Sequence, residues 1–214
     1  MYQHRTPQTQ NTAGRPTIRG FLYRGVVKNV IDSCLALFAL LILSPLLILI
    51  AVQIKRDSRG PILVKQKCEG LRGHPFKMYK FRTHQIGVED VHGQTRDLPE
   101  TYIGSVLIDY NLENLPQLFN VFIGDMSLVG PRPNPVALTI NNVGIHKVVP
   151  GYQNRTRVKP GMTGWAQING LRGPLRTAGD AAERVRYDLD YSKEASFLVD
   201  CAILYRTLPL LKAA

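Results

Sequence analysis

The 214-residue sequence has little cysteine, no nucleotide-binding glycine signature and, over one long stretch, no charge at all. Its three cysteines, Cys34, Cys68 and Cys201, are odd in number and far apart. They suggest neither a disulfide framework nor a metal knuckle, which fits a reducing compartment. No Gly-x-Gly-x-x-Gly and no P-loop occurs, so the usual dinucleotide and Walker-type sites are not indicated. No helix-turn-helix, zinc-finger or aromatic RNP pattern is present either. Acidic residues are scarce: Asp and Glu number 16 against 27 Lys and Arg, a formal net charge of +11. That excess calls for anionic partners. With nucleic-acid motifs missing, no nucleic acid is expected, and anionic membrane lipids and phosphate substrates account for the charge.

Residues 1–18 are polar and lack the apolar core of a signal peptide, so they are expected to form a disordered tail. Residues 33–54 carry no charge and are mostly Leu, Ile, Ala and Val, which is membrane length. Arg24 and Lys28 precede this run, and Lys55, Arg56 and Arg59 follow it. Basic residues mark cytoplasmic flanks, and here both flanks are basic. Ser44-Pro45 falls near the middle, where proline removes a helix hydrogen bond. Together these features predict a membrane-anchoring re-entrant helix over 19–54, broken at Ser44-Pro45. A Pro-kinked straight span and a buried helix of a soluble core are the alternatives.

Residues 55–214 read as a compact cytoplasmic domain. Ile62-Leu63-Val64 and the run 76–81 predict a short β-hairpin around Gly70-Leu71-Arg72-Gly73. Strand period places Lys80 and Arg82 on one face, a pair of cations suited to a diphosphate. The segment 86–100 reads as a surface loop; His84 and His92 match no metal-ligand spacing. A helix or strand begins at 101–107, and 136–149 is only mildly amphipathic. The glycines of 159–170, beside Arg155, Arg157 and Lys159, suggest close backbone approach to a ligand. A helix is predicted over 180–192 with Asp180 as its N-cap. A final apolar helix over 194–211 either docks on the core or lies in the membrane interface. The fold class is therefore α+β, mostly helical.

The densest run of polar and turn-forming residues is Glu113-Asn114-Leu115-Pro116-Gln117, followed by Gly130-Pro131-Arg132-Pro133. Pro131 and Pro133 stiffen the chain on both sides of Arg132, whose planar fork suits phosphate oxygens. A carboxylate and a held arginine about one helix apart predict one phosphate-handling site.

Several long motifs resemble the bacterial sugar transferases, the monotopic polyprenyl-phosphate phosphoglycosyl transferases that initiate exopolysaccharide assembly. They are Lys80-Phe81-Arg82-Thr83, the run 115–121 from Leu115-Pro116-Gln117, the run 124–133 ending in Pro131-Arg132-Pro133, and the run 159–170 around Gly161-Met162-Thr163-Gly164-Trp165. The resemblance implies transfer of a phospho-sugar from a UDP-sugar to undecaprenyl phosphate at the cytoplasmic face of the bacterial inner membrane, with release of UMP. It implies a catalytic pair at Glu113 and Asn114, with Glu113 forming the covalent intermediate. It implies Mg2+ held at Asn114 and Glu113, and phosphates held by Lys80, Arg82, Arg132, Pro131 and Pro133. Self-association is left open. Three positions depart from the family pattern. Glu113-Asn114 stands where the family has Asp-Glu, Ile108 where it usually has Arg, and Cys68 where it usually has a basic residue. These departures support an alternative, a catalytically impaired member acting as a membrane-bound regulatory or interaction protein.

Overall fold

The computed structural model describes residues 23–85, 99–173, 175 and 177–211. The tail expected over 1–18 and most of the loop over 86–100, with His92, lie outside those residues. The described chain is mostly helical with small two-stranded sheets.

A π-helical turn, Tyr23–Val27, leads into α1, Lys28–Asp57. The stretch Gly25–Asp57 is long and apolar enough to cross a membrane. Where an interruption was expected at Ser44-Pro45, the helix is continuous. Pro45 has no N–H to give the Leu41 carbonyl four residues back, and Ser44 Oγ donates to that carbonyl at 2.8 Å instead. The hydroxyl satisfies the acceptor that proline leaves bare.

Thirty residues of helix would extend about 45 Å if straight, yet both ends of α1 are fastened to the same body. Near the start, Lys28 pairs with Asp32 at 3.4 Å and with Asp200, and Ser127 Oγ donates to Asp32 at 2.5 Å. Near the end, Asp57 Oδ2 accepts from the Ile103 N–H at 3.2 Å, and Arg82 donates to the Ile54 and Ser58 carbonyls. Between them, Ala36 packs with Cys68, Met78, Leu118, Val121 and Met126, while Ile50 and Ile54 pack with Phe81 and Leu107. Leu35, Phe38, Leu41, Ile42, Ile48 and Leu49 remain exposed on α1.

The expected hairpin forms from β1, Leu63–Glu69, and β2, Pro75–Phe81, paired antiparallel with Val64 opposite Lys80. Phe76, Met78 and Lys80 share one face of β2, and Met78 enters the core. Next comes α2, Tyr102–Asp109, started by Thr101 Oγ1 accepting from the Gly104 N–H at 2.9 Å. Asn111, in left-handed conformation with φ 55°, turns the chain into a 3-10 turn, Leu112–Asn114, and then into α3, Gln117–Ile123.

Strand β3, Ser127–Val129, lies parallel to β6, Gly161–Thr163, which brings the two longest motifs side by side. Gly130, Gly161 and Gly164 sit where these backbones touch. A Cβ on Gly161 would collide with Gly130 backbone, and one on Gly164 with the Gly130 carbonyl. The close approach expected toward a ligand is thus between two segments of the protein itself. Between them lie a small hairpin, β4 (Thr139–Ile140) and β5 (Val143–Gly144), and a short α4, Ile145–Val148.

The short α5, Trp165–Ile168, follows β6, and α6 then covers Ala178–Glu194. The N-cap of α6 is Thr177, three residues before the expected Asp180, which is instead the reciprocal partner in a capping box. The last helix, α7, covers Phe197–Thr207 and buries Asp200 and Ile203 while Phe197, Leu198 and Tyr205 stay exposed. It docks on the body by one face and leaves an apolar face uncovered.

Candidate active site

The site begins with Asn120, which is fully buried in α3. Its Oδ1 accepts from the Tyr79 N–H at 2.9 Å and its Nδ2 donates to the Lys77 carbonyl at 2.8 Å. The carboxamide acts as a short extra strand against β2 and fixes α3 beside Lys80. At the far end of α3, Gly124 adopts φ 89° and ends the helix. At the near end, Pro116 and Gln117 follow the turn that carries Glu113 and Asn114.

Within that turn, Asn114 Nδ2 donates to Glu113 Oε1, and Asn114 Oδ1 accepts from Gln117 Nε2 at 2.7 Å. Glu113 Oε2 is buried with no hydrogen-bond partner. Burial pushes the Glu113 carboxyl above the ordinary carboxylate range, while its own backbone N–H, Lys80, Arg132 and Asn114 pull it back. Glu113 is therefore within electrostatic reach of both cations.

A cavity of about 590 Å³ opens beside this turn. Asn114 and Gln117 line it, as do Lys80, Arg132 and Pro133, and Glu113 adjoins that wall through its hydrogen bond to Asn114. Lys80, Arg132 and the Glu113-Asn114 pair are thus brought together. Burial lowers the affinity of Lys80 for its proton, and neighbouring Arg132 does the same. Burial also lowers Arg132, against the opposing influence of Glu113. The Arg132 backbone is held from behind: its carbonyl accepts from Arg155 Nη2 at 2.5 Å, and Arg155 is ion-paired with buried Asp188 at 2.8 Å. Pro131 is buried, and its carbonyl accepts from the Gly161 N–H at 2.9 Å, so it fixes the turn from the β6 side.

Arg82 is not brought to the site. The strand ends at Phe81, and the buried guanidinium donates to the Arg59, Ser58 and Ile54 carbonyls at 2.6, 2.9 and 3.3 Å. Those carbonyls belong to the last turn of α1 and the segment after it, where acceptors lack intrahelical partners. Arg82 is a clamp on the end of α1, so the expected cation pair on one strand face does not form.

Among the lining residues that the sequence reading did not assign are two cations and a carboxamide. Arg172 and Arg184 reach the same cavity, as does Gln167, whose carboxamide is buried with neither end bonded. Burial pushes Arg184 down to about 10, and Arg132 adds to the shift. Arg172 is lowered by burial too. The available signal was in α6, where Arg184, Ala181, Val185 and Asp188 share a buried face at helical spacing. A charged residue on such a face has a reason to be there.

The thiol of Cys68 is fully buried near Lys80 and Arg132, and burial pushes it up to about 11. It is an apolar filler beside the cations. His84 contacts Thr83 Oγ1 at 2.9 Å. Among the described residues no group of three His, Cys, Asp or Glu side chains could hold a metal ion. The pair offers one carboxylate and one amide oxygen that already accepts a bond from Gln117. This donor set does not fit magnesium, which favours carboxylates.

The model of the bacterial sugar transferase family matches residues 23–213. The chain is 41% identical over 191 residues to a UDP-glucose:undecaprenyl-phosphate glucose-1-phosphate transferase of Xanthomonas campestris pv. campestris, covering 86% of this chain and 38% of that protein. It is 40% identical to the protein of the same name from Escherichia coli (strain K12), covering 86% and 39%. An exopolysaccharide production protein PSS of Rhizobium leguminosarum bv. phaseoli is 38% identical, and there the match covers 86% of this chain and 94% of the relative. The chain thus spans under two fifths of the length of the first two relatives and nearly all of the third.

Proposed function

The chain belongs to the bacterial sugar transferase family, and from that premise we propose that it transfers a phospho-sugar from a UDP-sugar to undecaprenyl phosphate. The observation that carries this reading is the convergence of Lys80, Arg132, Arg172 and Arg184 on one cavity beside the Glu113-Asn114 turn. Such a cluster suits a diphosphate, whose oxygens need charge-assisted donors.

Glu113 is the nucleophile. Its unpartnered Oε2 forms a bond to the sugar-bearing phosphorus, the bond from that phosphorus to the bridging oxygen breaks, and UMP leaves with the electron pair. Asn114 orients Glu113 through Oε1, and Lys80 and Arg132 stabilise negative charge on the transferring phosphoryl oxygens. An oxygen of the polyprenyl phosphate then attacks the same phosphorus, and the Glu113 carboxylate is released.

The second substrate is a lipid, so the site must sit at a bilayer surface. The attachment of both ends of α1 to one body supports a re-entrant placement, entering and leaving on one side. The basic residues at both ends support a reading in which that side is the cytoplasmic face of the inner membrane, against anionic lipids. The exposed apolar faces of α1 and α7 are then the buried surface. Release of UMP from UDP-glucose in the presence of undecaprenyl phosphate tests the function. Turnover abolished by Glu113→Ala supports the assignment, and undiminished turnover rejects it.

A further inference from the structure

We propose that the nucleotide diphosphate is neutralised in this protein by the side-chain cations of the cavity, so that its binding requires no divalent metal ion, and that Asn114 is the residue that removes the requirement. The proposal rests on the nucleotide-sugar reading of the same site.

A magnesium ion at a diphosphate needs anionic protein oxygens beside the phosphate oxygens, commonly one or two carboxylates. Here the pair has one carboxylate, and that carboxylate must stay free of metal to attack phosphorus. Asn114 is neutral and committed at both ends of its amide. Nδ2 donates to Glu113 Oε1, and Oδ1 accepts from Gln117 Nε2 at 2.7 Å. The second lone pair of Oδ1 carries no formal charge, so it offers magnesium far less than a carboxylate would; turning the amide would break the bond that orients Glu113. Among the described residues no group of three or more His, Cys, Asp or Glu side chains gathers elsewhere to hold a metal ion.

The positive charge that a metal would supply is already present. Lys80, Arg132, Arg172 and Arg184 line the cavity, and among the described residues none of them is in an ion pair. Arg172 and Arg184 are anchored by backbone carbonyls, at Leu210 and Gly173 respectively, which fixes their direction without neutralising them. Cations held together in a partly buried site repel one another and lose hydration. A diphosphate relieves both penalties. A carboxylate at position 114 would act in the opposite sense, drawing in a metal and pairing with the cations.

The test is calorimetric titration of the full chain, in detergent or nanodiscs, with UDP in EDTA and again with excess MgCl2. The expected result is UDP affinity that differs by less than about threefold between the two conditions. Asn114→Glu should convert the protein, so that MgCl2 tightens UDP binding by about tenfold or more while EDTA weakens it below the native value. If native binding tightens threefold or more with MgCl2, the proposal is overturned while the nucleotide-sugar reading stands. If UDP binds in neither condition, both fall. A variant that binds UDP without responding to MgCl2 overturns the role given to Asn114. Should Asn114→Glu fail to fold, the native titration alone decides the metal question.

Discussion

Gln117 Nε2 donates to Asn114 Oδ1 at 2.7 Å, and through that bond the first turn of α3 fixes which end of the Asn114 amide faces Glu113. Gln117→Leu removes the donor and frees the amide to rotate. We expect kcat to fall by about tenfold or more, since small misplacements of reacting groups are costly. KM for the UDP-sugar should change little, because the cations that hold the diphosphate are untouched. Steady-state kinetics of UMP release separates the two effects. An equal loss in KM would place Gln117 in substrate binding instead.

Arg82 provides the opposite case. It bonds three carbonyls at the end of α1 and none of the cavity. Arg82→Gln should therefore lower stability, by about 1.5–3 kcal/mol for lost charge-assisted bonds. The fraction that folds should bind UDP with native affinity. Thermal melting and calorimetry on one preparation check both halves.

The glycines at the junction of β3 and β6 carry a packing prediction. Gly161→Ala places a methyl group against Gly130 backbone, which cannot move without separating the two strands. The expected cost is about 1–3 kcal/mol or more, read as a lowered melting temperature. Gly144→Ala meets open space and is the control.

Burial gives the site two pH dependences. Lys80 is held below the ordinary lysine range, so its charge is lost at a lower pH than that of an exposed lysine. UDP affinity should fall as pH rises through that depressed range, and Lys80→Arg should move the loss upward. Glu113 is held above the ordinary carboxylate range, so the fold favours its protonated form. Its contribution to stability is present below the ordinary carboxylate pKa and disappears as pH rises through the raised one. Glu113→Gln should then raise the melting temperature at neutral pH, by about 2–4 °C for each ~1 kcal/mol gained.

Much of this site could be read from residue order alone. Lys80, Glu113, Asn114 and Arg132 come together because their motifs encode the turns that position them, and the hairpin announced itself through alternation and a glycine-rich turn. Arg82 could not be placed that way. Strand period says which face a residue shares, but not that the strand ends one residue earlier or that a helix terminus nearby lacks donors. The glycines of 159–170 were legible as sites of close approach, yet their neighbour, Gly130, is some thirty residues away in sequence. Arg184 reaches the cavity from α6, which packs on α5, and Arg172 is held by the Gln167 and Leu210 carbonyls, contacts that residue order does not reveal. In α1 the sequence showed where proline removes a donor. That Ser44 Oγ replaces it at the Leu41 carbonyl depends on a rotamer.

The proposed reaction depends on Glu113 attacking phosphorus in a UDP-sugar. Its most direct test is UMP release by the full chain with UDP-glucose and undecaprenyl phosphate, compared with Glu113→Ala of matched folding and UDP affinity. Steady release by the native protein and none by the variant is the expected result. Absence of release by the folded native protein across a panel of UDP-sugars, or release that survives Glu113→Ala, would contradict it.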